Sequence, residues 1–471
     1  MGFIGRENEL KALVGHLNKL APGTYDAGRA VTIRGRRRVG KTRLAREFVT
    51  KSGFPSFQFF ATGAETTREL VRFRDALRDS NISPVAEAFG TPDSWSDALA
   101  MLAAALPDDS PSIVVLDEVP YLARADSGFE GSLQAAWDTK LLQKPILLLL
   151  IGSDLSAMKR MTTYGRPFFQ RSVDMEVKPL SVADVAVATG LDPADAIDAY
   201  LVTGGMPLLL QEWPAGGSLG EFLAASLGDP SSGLVTTGAA VLSAEFPPEA
   251  KSKQVLQAIG SGESTFRKIL KSSGLDYAAT LSTALDLLEA RHIVTKFEPF
   301  STKISKKTPH YQIADPYLRF YSAFIGENIE GISGGFYRPA LQRIQRDWTT
   351  WRGIAVEPVI RDLLRSQWGK ILPEFAAIGS WWNADSSVEV DLVLGDRAPN
   401  PKRIVGIGSI KWRTHKPFSD DDAAALRRDG ANIPGFNNET PLIAVSRTPI
   451  EAAGVITVTA EDLLFADDGA N

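Results

Sequence analysis

No cysteine occurs anywhere in the 471-residue sequence, which excludes disulfides, iron–sulfur clusters, thiolate zinc sites and a cysteine nucleophile. Histidine is nearly as scarce. His16, His292, His310 and His415 are scattered, which argues against a histidine-rich metal site. Long apolar runs are also missing: the longest, Ala98 to Leu106, falls far short of the ~20 residues that span a bilayer. The opening Met-Gly-Phe-Ile-Gly-Arg-Glu has no apolar stretch of signal-peptide length, so a cytoplasmic chain without membrane contact is expected. Neither sign of charge is in excess. Lys and Arg number 51 against 56 Asp and Glu, a net of −5, so contact with nucleic acid must come from a local basic surface.

What is present is an ordinary globular composition, 44% apolar and 23% charged, in a chain roughly three times the ~150-residue domain prior. Several separate cores are expected. Val31 to Ile33, a glycine-bounded loop from Gly35 to Gly40 and the helix formers Lys41 to Phe48 read as strand, loop and helix. Ile113–Leu116 and Ile146–Ile151 are continuous apolar runs, the pattern of strands buried on both faces of a parallel sheet. After Pro179 the pattern turns helical, with alanine-rich segments at Ala183–Thr189 and Pro193–Thr203 broken by Gly204, Gly205 and Pro207.

Gly35-Arg36-Arg37-Arg38-Val39-Gly40-Lys41-Thr42 fits G-x-x-x-x-G-K-[ST] between a strand and a helix. The glycines let main-chain N–H groups turn inward around phosphates, with Arg38, Val39 and Arg43 in or beside the loop. Lys41 reaches the β and γ oxygens, and the Thr42 hydroxyl ligates Mg²⁺ at the positive end of the helix. Downstream, the apolar run into Asp117-Glu118 supplies the second half: Asp117 to hold Mg²⁺ through its waters and Glu118 as general base for the attacking water. Ser153, after the third apolar strand, is the candidate γ-phosphate or water sensor, and Asp154 reads as a helix cap. Arg166 lies in the loop that follows, where a guanidinium would stabilise the transferred phosphoryl group; an ordinary salt bridge is the alternative.

In order along the chain stand Phe3-Ile4-Gly5-Arg6-Glu7, the phosphate loop, Asp117-Glu118, Gly152-Ser153, Tyr164-Gly165-Arg166 and Gly204-Gly205-x-Pro207. This set resembles prokaryotic AAA-like ATPases related to the STAND class of switch NTPases, over residues 1–325. The resemblance implies ATP or ADP with Mg²⁺ as ligands. It also implies that Ile4, Gly5 and Arg6 lie near the adenine and that the turn ending in Pro207 approaches the nucleotide from a lid.

From Ser252 to Tyr321 the order is helix, turn, short helix, turn, the long helix Tyr277–Ala290, then candidate strands at Ile293–Glu298 and His310–Ile313, a winged-helix order. Residues 251–310 hold ten Lys and Arg against five Asp and Glu. Lys303, Lys306 and Lys307 fall in the hairpin and Ser282 and Thr283 on the preceding helix, which makes DNA a partner to expect, with salt-sensitive backbone affinity. Packing against a neighbouring domain or a protein partner is the alternative.

Farther on, Glu357 sits on a helix read over Val356–Trp368, Asp391 in the strand Val388–Leu394, and Ser409 and Lys411 on the strand Ile404–Lys411; Leu442–Ser446 is a further strand. This segment looks like the PD-(D/E)xK restriction-endonuclease-like fold. The resemblance implies a metal held by Asp391 and a second carboxylate, with Lys411 supporting the attacking water. Ser409 stands where that second carboxylate belongs, which removes an anionic ligand. Glu389 shares the strand face of Asp391 and, with Glu357, is the candidate substitute.

The expected fold class is therefore α/β and multidomain. A P-loop ATPase core with a parallel sheet covers 1–182, a helical lid 183–248, a winged helix 249–328 and a degenerate endonuclease-like domain 329–471. The expected activity is slow, Mg²⁺-dependent ATP hydrolysis by a switch ATPase that contacts DNA. The alternatives are an ATP-regulated DNA endonuclease using Asp391 and Lys411, and a nucleotide-switched scaffold that binds protein partners or itself.

Overall fold

Runs of β-branched and leucine side chains leave β1 (Arg29–Arg34), β3 (Ser112–Asp117) and β4 (Ile146–Gly152) buried on both faces, and the last two are buried at every position. With β2 (Ser56–Phe60) and β5 (Val173–Glu176) they form one all-parallel sheet in the order β2-β3-β4-β1-β5. β2 and β5 are not evident in the sequence. β2 is an edge strand that alternates half-buried and buried residues, and β5, the other edge, is largely exposed, so neither presents an apolar run. The computed structural model describes residues 2–20, 27–82, 90–245, 251–303, 309–365 and 370–465.

Helices α1 (Glu7–Asn18), α2 (Lys41–Ser52), α3 (Thr66–Arg78), α4 (Trp95–Ala105), α5 (Val119–Ala125), α6 (Phe129–Thr139) and α7 (Leu155–Met161) cover this sheet. One face packs Leu13, Leu44 and Phe48 against Val31, Val115 and Leu149. The other packs Phe73, Trp95 and Phe129 against Phe59, Leu116 and Leu148. Parallel strands end together, so the loops after β1, β3 and β4 share the carboxyl edge of the sheet, where α/β proteins bind ligands.

The chain divides into two compact units, Met1–Leu180 and Ser181–Asn471. The boundaries read at 248 and 328 thus fall inside the second unit. It begins with α8 (Val182–Thr189), α9 (Pro193–Thr203), α10 (Pro207–Gln211), α11 (Leu219–Gly228) and α12 (Gly233–Glu245). Three helices, α13 (Ser252–Gly260), α14 (Phe266–Ser273) and α15 (Ala278–Ala290), then precede an antiparallel pair, β6 (Val294–Phe297) and β7 (His310–Ile313). Short α16 (Pro316–Phe320) and α17 (Ile329–Ser333) lead to the 28-residue α18 (Arg338–Arg365). The helix read as beginning at Val356 therefore starts five turns earlier, because an arginine, Arg352, is buried there beside Trp351, with half-buried Trp348 stacked on that ring, and this breaks the expected amphipathic pattern; residues 366–369 lie outside the described residues.

The rest is a second sheet, β12-β11-β10-β9-β8, built from β8 (Ala377–Trp382), β9 (Glu389–Gly395), β10 (Ile404–Lys411), β11 (Leu442–Ser446) and β12 (Ile456–Val458). β8, β9 and β10 form an antiparallel meander. Helix α19 (Asp420–Gly430) crosses to β11, which runs parallel to β10, and α20 (Ala460–Phe465) follows β12.

Two contacts tie the second unit together. Asp198 on α9, 4% exposed, accepts from Arg352 Nη1 at 2.7 Å and Trp412 Nε1 at 2.9 Å, while Arg447 lies 3.5 Å away. Arg352 Nη2 also donates to the Trp412 carbonyl and to Thr414. Buried charge is tolerated here because Asp198 meets two guanidinium groups and accepts two hydrogen bonds, while Arg352 donates three. The second contact holds the hairpin. His310 stacks on Trp382 at 4.0 Å, the Phe300 N–H donates to the Ser380 carbonyl, and the Phe300 ring fills the space that side chains at Gly379 and Gly395 would need.

Candidate functional site

The phosphate loop is shaped by what its residues cannot do elsewhere. A Cβ at Gly35 would lie 2.3 Å from the Val177 carbonyl oxygen, so only glycine fits. Arg38 (φ 67°) and Gly40 (φ 93°) are left-handed, and Gly40 enters α2 with no side chain capping the helix. With glycine at the cap, the amino end of α2 presents main-chain N–H groups and the positive end of the helix dipole to the loop.

Lys41 folds over this loop and donates to the carbonyls of Gly35 (2.8 Å) and Arg36 (2.9 Å). Burial lowers its pKa to about 8, against the pull of Glu118 and Asp117. Thr42 Oγ1 donates to Asp117 Oδ2 at 2.5 Å, and the Glu118 N–H donates to Asp117 Oδ1 at 2.8 Å. Burial pushes the Asp117 carboxyl up, and the Thr42 bond opposes it. A hydroxyl and a carboxylate, both hard oxygen donors in mutual contact at the start of α2, suit Mg²⁺.

Glu118 is a left-handed non-glycine residue (φ 55°) just before α5, a conformation that costs on the order of 1 kcal/mol and recurs at functional positions. Its carboxylate accepts from Ser153 Oγ at 2.6 Å, which ties the end of β3 to the end of β4. Asp154 caps α7 by accepting from the Ala157 N–H. Arg6 is 8% exposed and donates to the Val39 carbonyl at 2.8 Å and to Glu9, so the segment that holds Ile4 and Gly5 reaches the loop through Arg6. Arg43 donates to the Gly2 carbonyl.

Arg166 takes the salt-bridge alternative in the free protein. Its Nη2 is engaged by both oxygens of Glu130, at 2.8 and 2.7 Å, because a mostly buried carboxylate captures the nearest flexible guanidinium. Pro207 opens α10 in the second unit. Lys303 is exposed in the hairpin; Lys306 and Lys307 lie outside the described residues. Arg37, which donates to the Tyr121 hydroxyl across the loop, was not singled out, since nothing in the sequence pairs it with α5.

In the second unit the structure brings Glu357, Glu389 and Asp391 to one cavity of about 540 Å³ that Lys268 and Arg361 also line. Burial and Asp391 raise Glu357 to about 7 and push Glu389 up as well. Asp391 Oδ2 accepts from Ser409 Oγ (3.1 Å) and from the Ile410 N–H (2.8 Å). Lys411 instead adds to the field that, behind Arg413, holds Asp422 down at about 2. Arg361, unremarked in the sequence, bridges Glu357 (3.3 Å) and the Asp391 carbonyl (2.8 Å); its i,i+4 spacing from Glu357 was the available signal. Among the described residues no group of three His, Asp or Glu is arranged to hold a metal ion, and no helix is long and apolar enough to cross a membrane.

Comparison with known proteins adds four likenesses. Residues 321–424 match the family model DUF234, described as Archaea bacterial proteins of unknown function. An uncharacterized protein of Methanocaldococcus jannaschii is 24% identical over 433 residues, 91% of this chain and 90% of the relative. The Walker-type ATPase of Pyrococcus abyssi is 18% identical with a TM-score of 0.47, covering 68% of this chain and 96% of that one. The ORC2 protein of Aeropyrum pernix, solved with ADPNP and ADP, is 14% identical with a TM-score of 0.46, covering 72% and 95%.

Proposed function

We propose that the protein is a slow, Mg²⁺-dependent switch ATPase whose nucleotide lies at the carboxyl edge of the first sheet. The observation that carries this reading is the glycine-capped start of α2 beneath Lys41, with Thr42 on Asp117 at the end of β3, two strands from β1, and Glu118 on Ser153 at the end of β4, beside β1. In this reading the α2 amides and Lys41 bind the β and γ phosphates, Thr42 and Asp117 hold the cation, and Glu118 takes a proton from the attacking water. Mg²⁺ supplies charge neutralisation when bound. Ser153 orients the Glu118 carboxylate. Arg166 would have to leave Glu130 to serve the transferred group. Calorimetry with ATP, followed by a phosphate-release assay, tests the assignment, and a chain that binds no nucleotide ends it.

Lys41 gives the binding a pH signature. Its pKa is about 8 in the free protein, and contact with phosphate favours its charged form, so the bound value is higher. Above about pH 8, binding must then take up a proton. ATP affinity is expected to be flat below that point and about tenfold weaker at about pH 9 than at about pH 7, measured by calorimetry in two buffers of different ionisation heat.

DNA contact belongs to the same proposal. Arg267, Lys268 and Lys271 on α14 and Lys251 and Lys253 at the start of α13 are exposed, and they support backbone contact more than base reading, because α15 carries Asp286 and Glu289 and no basic residue. Four phosphate contacts would cost about a hundredfold in affinity between about 50 and about 200 mM salt. Fluorescence anisotropy with a labelled duplex reads this, and a salt-independent signal would rule it out.

A further inference from the structure

The acidic cluster of the second sheet is the place where an endonuclease-like fold would hold a divalent cation, and its residues do not fit one. We infer that this cluster is closed by internal partners, Ser409 and Arg361, and takes no metal ion, which makes the C-terminal sheet a non-cleaving module. The inference is independent of the nucleotide reading.

Three observations carry it. A metal at Asp391 needs the free lone pairs of its carboxylate and a second anion opposite. Asp391 Oδ2 already accepts two hydrogen bonds, one from the main-chain N–H of Ile410 and one from Ser409, the residue at the second anion's position. A carboxylate at 409 would face Asp391 with like charge and require a cation between them, whereas a hydroxyl satisfies Asp391 directly. The remaining negative charge is met from α18: Arg361, 9% exposed, sets its guanidinium between Glu357 and the Asp391 carbonyl. A fixed guanidinium there supplies positive charge without exchangeable coordination sites, so neither water activation nor phosphate bridging is available. Glu389 does not restore the set, because it lies on the same strand as Asp391, within the field of Lys268.

The decisive measurement is Mn²⁺ binding by the full chain without nucleotide, followed by loss of the free-ion paramagnetic signal and by calorimetry, with Asp391→Asn as reference. The difference between the two chains isolates any ion held at Asp391 from any held near Asp117. Wild type and Asp391→Asn are expected to give superimposable isotherms. Ser409→Glu, which turns the hydrogen bond into a carboxylate pair, is expected to gain one site at least about tenfold tighter than any in wild type, lost again in Ser409→Glu with Asp391→Asn. A wild-type site that vanishes in Asp391→Asn would overturn the inference. So would a folded Ser409→Glu chain that gains nothing, since Ser409 would then not be what closes the cluster.

Discussion

Lys41→Ala is expected to raise the dissociation constant for ATP by about a hundredfold or more. The ammonium makes two hydrogen bonds in the free protein, to the carbonyls of Gly35 and Arg36, and the same two protons are the ones a triphosphate would take. Binding exchanges these neutral acceptors for anionic oxygens in a largely buried site, and the added Coulomb attraction amounts to roughly the 3 kcal/mol that separates micromolar from sub-millimolar binding. Loss of the ammonium also leaves two loop carbonyls without their donor, so the melting temperature of the variant should be followed in parallel. Calorimetry is the direct reading. An unchanged dissociation constant in a folded variant would remove the nucleotide from this loop.

Glu118→Gln separates binding from chemistry. The amide is nearly isosteric with the carboxylate, can still accept from Ser153 Oγ, and leaves both hydrogen bonds of Lys41 to the loop in place. ATP affinity should stay within about twofold, while turnover falls by about 10²–10⁴, the range associated with removing a general base. Single-turnover phosphate release with saturating enzyme measures it without interference from product dissociation. Equal losses in affinity and rate would mean that Glu118 positions nucleotide instead of acting on water.

Much of the first sheet was legible because a parallel strand covered on both faces has to be apolar throughout, as β3 and β4 are. The phosphate loop was legible because few arrangements need glycine, lysine and threonine at that spacing. What sequence could not supply was pairing at a distance. Thr42 and Asp117 are 75 residues apart and Glu118 and Ser153 are 35 apart, and their contacts follow from strand order, which no local pattern encodes. β8 was missed because Gly379 and Ser380 interrupt its apolar residues; Gly379 is small so that Phe300 can lie against it. Arg166 was left between a phosphate ligand and a salt bridge because its loop position was visible and its partner Glu130 was not.

The Asp198 cluster constrains how the polypeptide can be divided. Asp198 comes from the first helices of the second unit, Arg352 from the middle and Arg447 from near the end, so no cut at 248 or 328 leaves the three on one fragment. A fragment starting at either point would keep two arginines facing an interior from which their counter-charge had been deleted, and a buried cation without an anion costs several kcal/mol. Expressed alone, such a piece should aggregate or demand its missing part in trans, and recovery of solubility when the fragment starting at 249 is co-expressed with residues 181–248 would mark residues 181–471 as one folding unit.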